Sequence, residues 1–243
     1  MPTTGHSSDS HVLGVITARG GSKSIPKKNL ADLGGIPLVT HTVHQAAAAA
    51  TLTRTVVSTD SEEIATACRA AGGDIPFLRP ADLARDDTPT LPVLVHALEF
   101  TEAEDGCTYE YICCLQPTSP LRLATDIDRA VTKAIETGAS AVVTVCPAPH
   151  PAKIKKFDGD RLVPYTVPEP EGARRQDLGP PAWRRNGAVY VFRRDNLLAG
   201  HLWGDDCRGV PMPLERSVDI DEPSDLLLAR VLCGLARDRS QGR

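Results

Sequence analysis

An α/β fold with a mainly parallel sheet is predicted by three features of this sequence. Short apolar, β-branched runs recur along the chain without alternating, which suits strands covered on both faces. Amphipathic stretches of helical length separate them, and that alternation places helices on both sides of a parallel sheet. The first apolar run also breaks at two glycines and becomes cationic: Ala18-Arg19-Gly20-Gly21-Ser22-Lys23-Ser24-Ile25-Pro26-Lys27-Lys28-Asn29. In open sheets of this kind, ligands bind beyond the carboxyl ends of the strands, where that loop falls.

The elements follow in order. Val12 to Thr17 is the first strand. Ile36 to Ala50 is predicted as a helix, with Pro37 in the first turn and alanines finishing it. Arg54 to Thr59 is a second strand. Asp60 then caps a helix with Glu63 reaching back, and Gly72-Gly73 ends it. Ile75 to Leu78 is a third strand candidate. Thr88-Pro89 reads as a cap and a first-turn proline, opening a helix to Glu104. Tyr109 to Leu115 is a fourth strand. Thr125 caps a helix to Thr137, Gly138 stops it, and Ala141 to Val145 is a fifth strand.

From Cys146 to Arg185 prolines and cations gather and the helical period fades. So long a stretch within a compact domain is expected to be a lid, or an arm against a second subunit. Asn186 to Phe192 returns as a strand. Ser217 to Asp221 is a short alternating segment, and Pro223 opens a last helix through about Ala236. Residues 1–10 and 238–243 are expected to be tails, leaving 11–237 as a single domain with an arm at about 147–185.

Composition narrows the function classes. The 243 residues suffice for one large α/β domain, and 41% hydrophobic with 24% charged residues is ordinary for a globular protein. No apolar run approaches the roughly 20 residues of a membrane span. The first ten residues lack an apolar signal core, so a cytoplasmic protein is expected. The seven cysteines show no C-x-x-C spacing; Cys113-Cys114, in an apolar run, read as buried small hydrophobes. A formal charge of −4 argues against nucleic acid as a partner. His41 and His44 could share a helix face, but no third metal ligand lies near them in sequence.

The basic loop is the first candidate site. Its glycines let backbone N–H groups approach an anion, and Arg19, Lys23, Lys27 and Lys28 add charge against an acidic average. Neither the P-loop spacing nor the dinucleotide glycine fingerprint is present. Asp219 and Asp221 are two apart in a strand-like segment, so both carboxylates face one way. Paired hard oxygens suit Mg2+; the competing reading is a pair of helix-capping acids before Pro223. Gln116-Pro117-Thr118-Ser119-Pro120 is a stiff turn offering hydrogen bonds to a base or ribose, or simply a proline-rich loop. Arg174-Arg175-Gln176 and Arg184-Arg185-Asn186-Gly187-Ala188 suggest an acidic second substrate, with Lys153 as a further cation; the competing reading is a solvated basic face.

Five segments in register resemble the acylneuraminate cytidylyltransferase family over nearly the whole chain. They are Ala18 to Lys23, Leu115 to Arg122, Arg175-Gln176, Asn186 to Tyr190 and Ser217 to Asp221. The resemblance implies a mainly parallel, Rossmann-like three-layer nucleotidyltransferase sheet with a protruding dimerisation arm. It implies CMP transfer from CTP to an acidic acceptor, most simply a sialic-acid-like 2-keto sugar acid, with Mg2+ and release of pyrophosphate. By that resemblance Ala18, Arg19, Gly20, Gly21, Ser22 and Lys23 cradle the triphosphate, and Lys28 and Asn29 finish the loop. Arg79, Thr90, Gln116, Thr118 and Ser119 fall to the nucleotide. Lys153, Arg175, Gln176, Asn186, Gly187, Ala188 and Tyr190 fall to the acceptor, and Asp219 and Asp221 to the metal. Arg19 and Lys23, with the acid pair, carry the chemistry, and the arm implies a homodimer. Many family members have glycine at the position of Ser24, so the loop is expected to be set differently there. Alternatives are another ulosonic acid or a phosphonate as acceptor, and a non-catalytic module that senses CTP. A dinucleotide oxidoreductase is disfavoured by the missing glycine fingerprint.

Overall fold

The computed structural model describes residues 10–240, apart from the side chains of 175 and 236–240. Of the tails expected at 1–10 and 238–243, residues 1–9 and 241–243 lie outside the described residues, and 238–240 are helical. In chain order the elements are β1 (Val12–Thr17), β2 (Asp32–Leu33), β3 (Ile36–Pro37), α1 (Leu38–Ala48), β4 (Arg54–Ser58), α2 (Glu62–Ala70), α3 (Thr90–Asp105) and β5 (Tyr111–Leu115). There follow α4 (Ala124–Thr137), β6 (Ala141–Pro147), β7 (Lys155–Asp158), β8 (Arg161–Pro164), β9 (Trp183–Arg193), α5 (Arg194–Leu198), β10 (Cys207–Pro211) and α6 (Pro223–Ser240).

The main sheet has the order β10-β6-β9-β5-β1-β4. β1 pairs in parallel with β4 and β5, and β6 in parallel with β10. β9 runs antiparallel to both β5 and β6. The amino end of β9 therefore meets the carboxyl ends of β1, β5 and β6 along one edge. β1 shows why the apolar runs do not alternate. Val12 and Ile16 pack with Val39, Val43, Ile64 and Val131 of α1, α2 and α4. Leu13 and Val15 turn the other way, toward Leu94 and Leu98 of α3. A third cluster joins Ile25, Leu33 and Leu38 to Val218, Ile220 and Leu226, seating the start of α6.

Several local expectations are corrected. Ile75 to Leu78 is not a strand; a single bridge joins Asp74 to Val56. Pro76 has no N–H to continue a ladder, and the chain turns back so that Arg79 N donates to Thr59 O at 2.7 Å. The first helix begins at Leu38, because Ile36–Pro37 pairs with Asp32–Leu33 around Gly34 and Gly35, both at positive φ. Ser61, not Asp60, caps α2, its Oγ accepting from Ile64 N at 3.4 Å. Thr88 donates its hydroxyl to Asp82 O, leaving Pro89 at the cap of α3. Thr125 lies inside α4; Asp126 accepts from Leu123 N at 2.9 Å and takes the capping role. Ser217 to Asp221 has no strand partner and is held by Ile220 N donating to Thr118 O at 2.8 Å. β6 reaches Pro147 and β9 starts at Trp183, so both sheet strands extend into the stretch read as irregular. Between them that stretch folds its own hairpin, β7–β8. α6 continues past Ala236 to Ser240.

Candidate nucleotide site

A cleft of about 510 Å³ opens at the shared strand edge. One wall is the loop after β1, with Arg19, Gly21, Ser22, Lys23, Ser24, Lys28 and Asn29. The opposite wall comes from the segment before and within α3, with Arg79, Arg85, Asp86, Thr88 and Thr90. Gln116, Pro117 and Thr118 form the floor after β5, and Asp221 stands at the rim.

The basic loop is anchored at several points. Gly20 N donates to Asp60 Oδ1 at 2.8 Å, and a Cβ at Gly20 would crowd Ser61 Cβ at 3.0 Å. Gly21 has open space around it. Asn29 Nδ2 donates to Arg19 O at 2.8 Å, closing the loop on itself. Lys28 Nζ donates to Ile220 O at 2.7 Å and lies 3.3 Å from Asp221 Oδ1. Lys27, at φ 50, turns away to Glu63 at 2.7 Å. Ser24 needs no positive φ: among the described non-glycine residues only Lys27 has one. Its hydroxyl instead donates to Asp221 O, so serine ties the loop to the acid pair. Ala18 is buried behind the loop, its N–H on Ser58 O at 3.0 Å.

Arg19 Nη1 and Lys23 Nζ reach across the mouth to Asp86, at 2.6 and 2.7 Å. These two cations hold the Asp86 carboxyl below the usual carboxylate range. Arg79 is buried against β4, with Nε on Ser58 Oγ at 3.0 Å and Nη2 on Ser58 O at 2.6 Å; burial lowers its pKa. Arg122 is fully buried beneath the floor. It donates from Nε to Ala188 O at 2.7 Å, from Nη1 to Thr42 Oγ1 at 2.8 Å, and to Gln116 O. Burial lowers it to about 10, which still leaves it protonated near neutrality.

Asp219 lies behind the rim. Burial raises its pKa, Thr118 hydrogen-bonds to it, and its Oδ1 has no partner. Gly187, at φ 77, makes room for it: a Cβ there would fall 2.8 Å from Asp219 Oδ2 and 2.8 Å from Ser119 Oγ. An orphaned buried carboxylate oxygen, with the exposed Asp221 two residues on, fits a hard divalent cation that takes its remaining ligands from phosphate and water. Among the described residues no cluster of three or more His, Cys, Asp or Glu forms a fuller cage. His41 Nε2 meets Leu33 O at 2.8 Å.

The residues read as acceptor contacts are dispersed. Lys153 pairs with Glu169 on the hairpin segment. Gln176 is exposed, and the side chain of Arg175 is outside the described set. Asn186 is interior, accepting from Thr144 Oγ1 at 2.7 Å and donating to Ser217 Oγ at 2.9 Å. Ala188 is buried; Ser119, read as a nucleotide contact, is buried too, its hydroxyl on Asn186 O at 3.1 Å. Tyr190 packs between Phe192 and Trp203, at 6.2 and 6.1 Å between ring centroids. None of these described residues lines the cleft. Sequence reasoning missed Asp86, read Asp60 only as a helix cap, and read Arg185 only as part of a basic run, not over Trp203 at 4.4 Å. It did not foresee the burial of Arg122, whose one signal was a cation directly after a rigid, proline-rich turn.

Residues 13–158 match a family model described as cytidylyltransferase. The chain is 31% identical to CMP-N,N'-diacetyllegionaminic acid synthase of Legionella pneumophila, over 93% of this chain and 98% of that protein. It is 30% identical to post-translational flagellin modification protein B of Campylobacter coli, over 92% and 95% of the two chains. Its fold is similar to that of CMP:2-keto-3-deoxy-manno-octonic acid synthetase complexed with CTP. The TM-score there is 0.69 at 19% identity, covering 94% of this chain and all of the other.

Two substitutions test this architecture. Arg122→Met should strand buried acceptors on Gln116, Ala188 and Thr42. It should cost roughly 3 kcal/mol or more in urea unfolding, since each orphaned buried group costs about 1–3 kcal/mol. Gly187→Ala should lose about 1–2 kcal/mol from its left-handed backbone. It should lower turnover more than that loss explains, because the new methyl displaces Asp219. Turnover falling only in step with stability would show that the Gly187–Asp219 fit has no part in the reaction.

Proposed function

The chain belongs to the cytidylyltransferase family, and from that premise we propose that it transfers CMP from CTP to a sialic-acid-like 2-keto sugar acid, releasing pyrophosphate. One observation carries the reading. A cationic loop, a polar turn suited to a nucleoside and a carboxylate with an orphaned buried oxygen converge on a single cleft and its rim. The acid-sugar products named in the relatives support the acceptor class.

In this reading the anomeric hydroxyl of the sugar acid attacks the α-phosphorus in line. The bond from that phosphorus to the bridging oxygen breaks, pyrophosphate leaves with the electron pair, and the hydroxyl proton passes to solvent water. Arg19 and Lys23 neutralise the charge that accumulates on the leaving group, and Ser22 and the amide of Gly21 hold phosphate oxygens. Arg79, Thr90, Gln116 and Thr118 position the nucleoside, and fixed positioning supplies much of the acceleration in such transfers. Asp219 and Asp221 would hold Mg2+, which supplies Lewis-acid charge to phosphate oxygens when bound. Lys28 keeps the segment bearing the acids in register with the loop.

A second subunit completes the proposal. The acceptor residues Lys153, Arg175 and Gln176 belong to the stretch that carries β7–β8. That hairpin exposes Phe157 at 75% and Leu162 at 65%, with Tyr165 beside them. Exposed apolar surface of this kind marks a binding face, here for another copy of the chain. No helix of the described residues is long and apolar enough to cross a membrane. CTP as the substrate supports a cytoplasmic site of action.

Pyrophosphate release from CTP should depend on one 2-keto sugar acid in a panel that includes N-acetylneuraminate, related ulosonic acids and simple phosphonates. Arg19→Ala should lower turnover by about 10²-fold; normal turnover in that variant removes its assigned role. The double change Phe157→Asp, Leu162→Asp should convert a dimer to a monomer in light scattering. A wild-type monomer would overturn the two-subunit reading.

A further inference from the structure

We propose that Asp86 is an internal competitor for the phosphate subsite, a specificity-determining residue that yields to a polyphosphate and reclaims its cations as pyrophosphate leaves. The inference rests on the assignment of Arg19 and Lys23 to phosphate. Asp86 is 67 residues from Arg19 in sequence and comes from the opposite wall of the cleft. Its two carboxylate oxygens are divided between the two cations, Oδ1 to Arg19 Nη1 at 2.6 Å and Oδ2 to Lys23 Nζ at 2.7 Å. A phosphate group bridging the same cations would present two oxygens in the same manner. The carboxylate and the phosphate cannot both occupy that position, because like charges would then face each other at contact distance.

Exposure sets how firmly the contact holds. The side chains of Lys23, Asp86 and Arg19 are 80%, 47% and 36% exposed, so both pairs are screened by water and salt. Arg122, by contrast, is sealed in the interior and bonded on three sides. The Asp86 pairs are therefore suited to breaking and re-forming within a reaction cycle. A single phosphate returns little more than the carboxylate it displaces. A triphosphate reaches further donors on the loop and gains a surplus, and this difference is what discriminates between the anions. The turn carrying Asp86 is tied locally, with Thr88 N on Arg85 O at 3.2 Å and Thr88 Oγ1 on Asp82 O at 3.3 Å. Arg85 and Thr88 line the same wall, so the carboxylate can leave without unmaking a helix.

Calorimetric titration of CTP, pyrophosphate and inorganic phosphate into the wild type, Asp86→Asn, Asp86→Glu and Arg19→Ala tests the inference. Asp86→Asn should bind CTP and pyrophosphate about threefold to tenfold more tightly, the scale expected from losing two exposed ion-pair competitors. Product inhibition by pyrophosphate should strengthen by the same factor. Asp86→Glu, which keeps the charge, should stay near wild type, and the gain in Asp86→Asn should shrink as salt rises. If Asp86 merely holds the two cations in a useful geometry, the asparagine variant will bind more weakly. Unchanged or weaker binding overturns the proposal. Absence of CTP binding by the wild type, or undiminished binding by Arg19→Ala, would instead overturn the phosphate assignment beneath it.

Discussion

The site depends on one buried cation. Arg122 is enclosed by apolar packing, and removing a guanidinium from water is costly unless every donor finds a partner. Here the partners come from three directions: the first helix, the turn after β5, and the antiparallel strand β9. Thr42, Gln116 and Ala188 are far apart in sequence, and a flexible ammonium could not serve all three in one plane. The backbone carbonyl of Gln116 is thereby fixed, and with it the floor of the cleft. The same bond to Ala188 locks β9 beside that floor.

β9 is the departure that gives the sheet its use. Running against its neighbours, it delivers its first residues to the ligand edge instead of its last. Gly187 then lies where a side chain would collide with Asp219, and Asn186 is drawn inward to tie Thr144 and Ser217 together. The acid segment is positioned from below by apolar packing, with Val218 and Ile220 buried among Leu33, Leu38 and Leu226. The position of the two carboxylates is thus set by the small core that seats α6. Ser24 and Lys28 complete the link from the other side, one to the Asp221 carbonyl and the other to that of Ile220.

All of the sheet but β10 was legible, because its strands are covered on both faces. β1, β4, β5, β6 and the body of β9 emerge from apolar runs alone. Boundaries failed where a proline or a cap had a competing partner: Pro76 ended a ladder, and Asp60 was drawn to Gly20 N instead of α2. The basic loop stood out because its charge runs against the composition, and it lines the cleft. Arg122 and Asp86 were not, because a lone arginine or aspartate looks solvated until tertiary structure supplies its partners. The residues proposed for the acceptor stayed scattered: Lys153 precedes the β7–β8 hairpin, whereas Asn186, Gly187, Ala188 and Tyr190 belong to β9 of the main sheet.

The Ser24 hydroxyl on Asp221 joins two points 197 residues apart. Synthesis runs from the amino end, so the first loop is made 197 residues before the segment that secures it. A nascent chain that carries β1, β4 and β5 still lacks Asp219 and Asp221. The rim of the cleft is therefore complete only after that later segment is made, and a product ending before Ser217 would carry the loop's cations without either carboxylate.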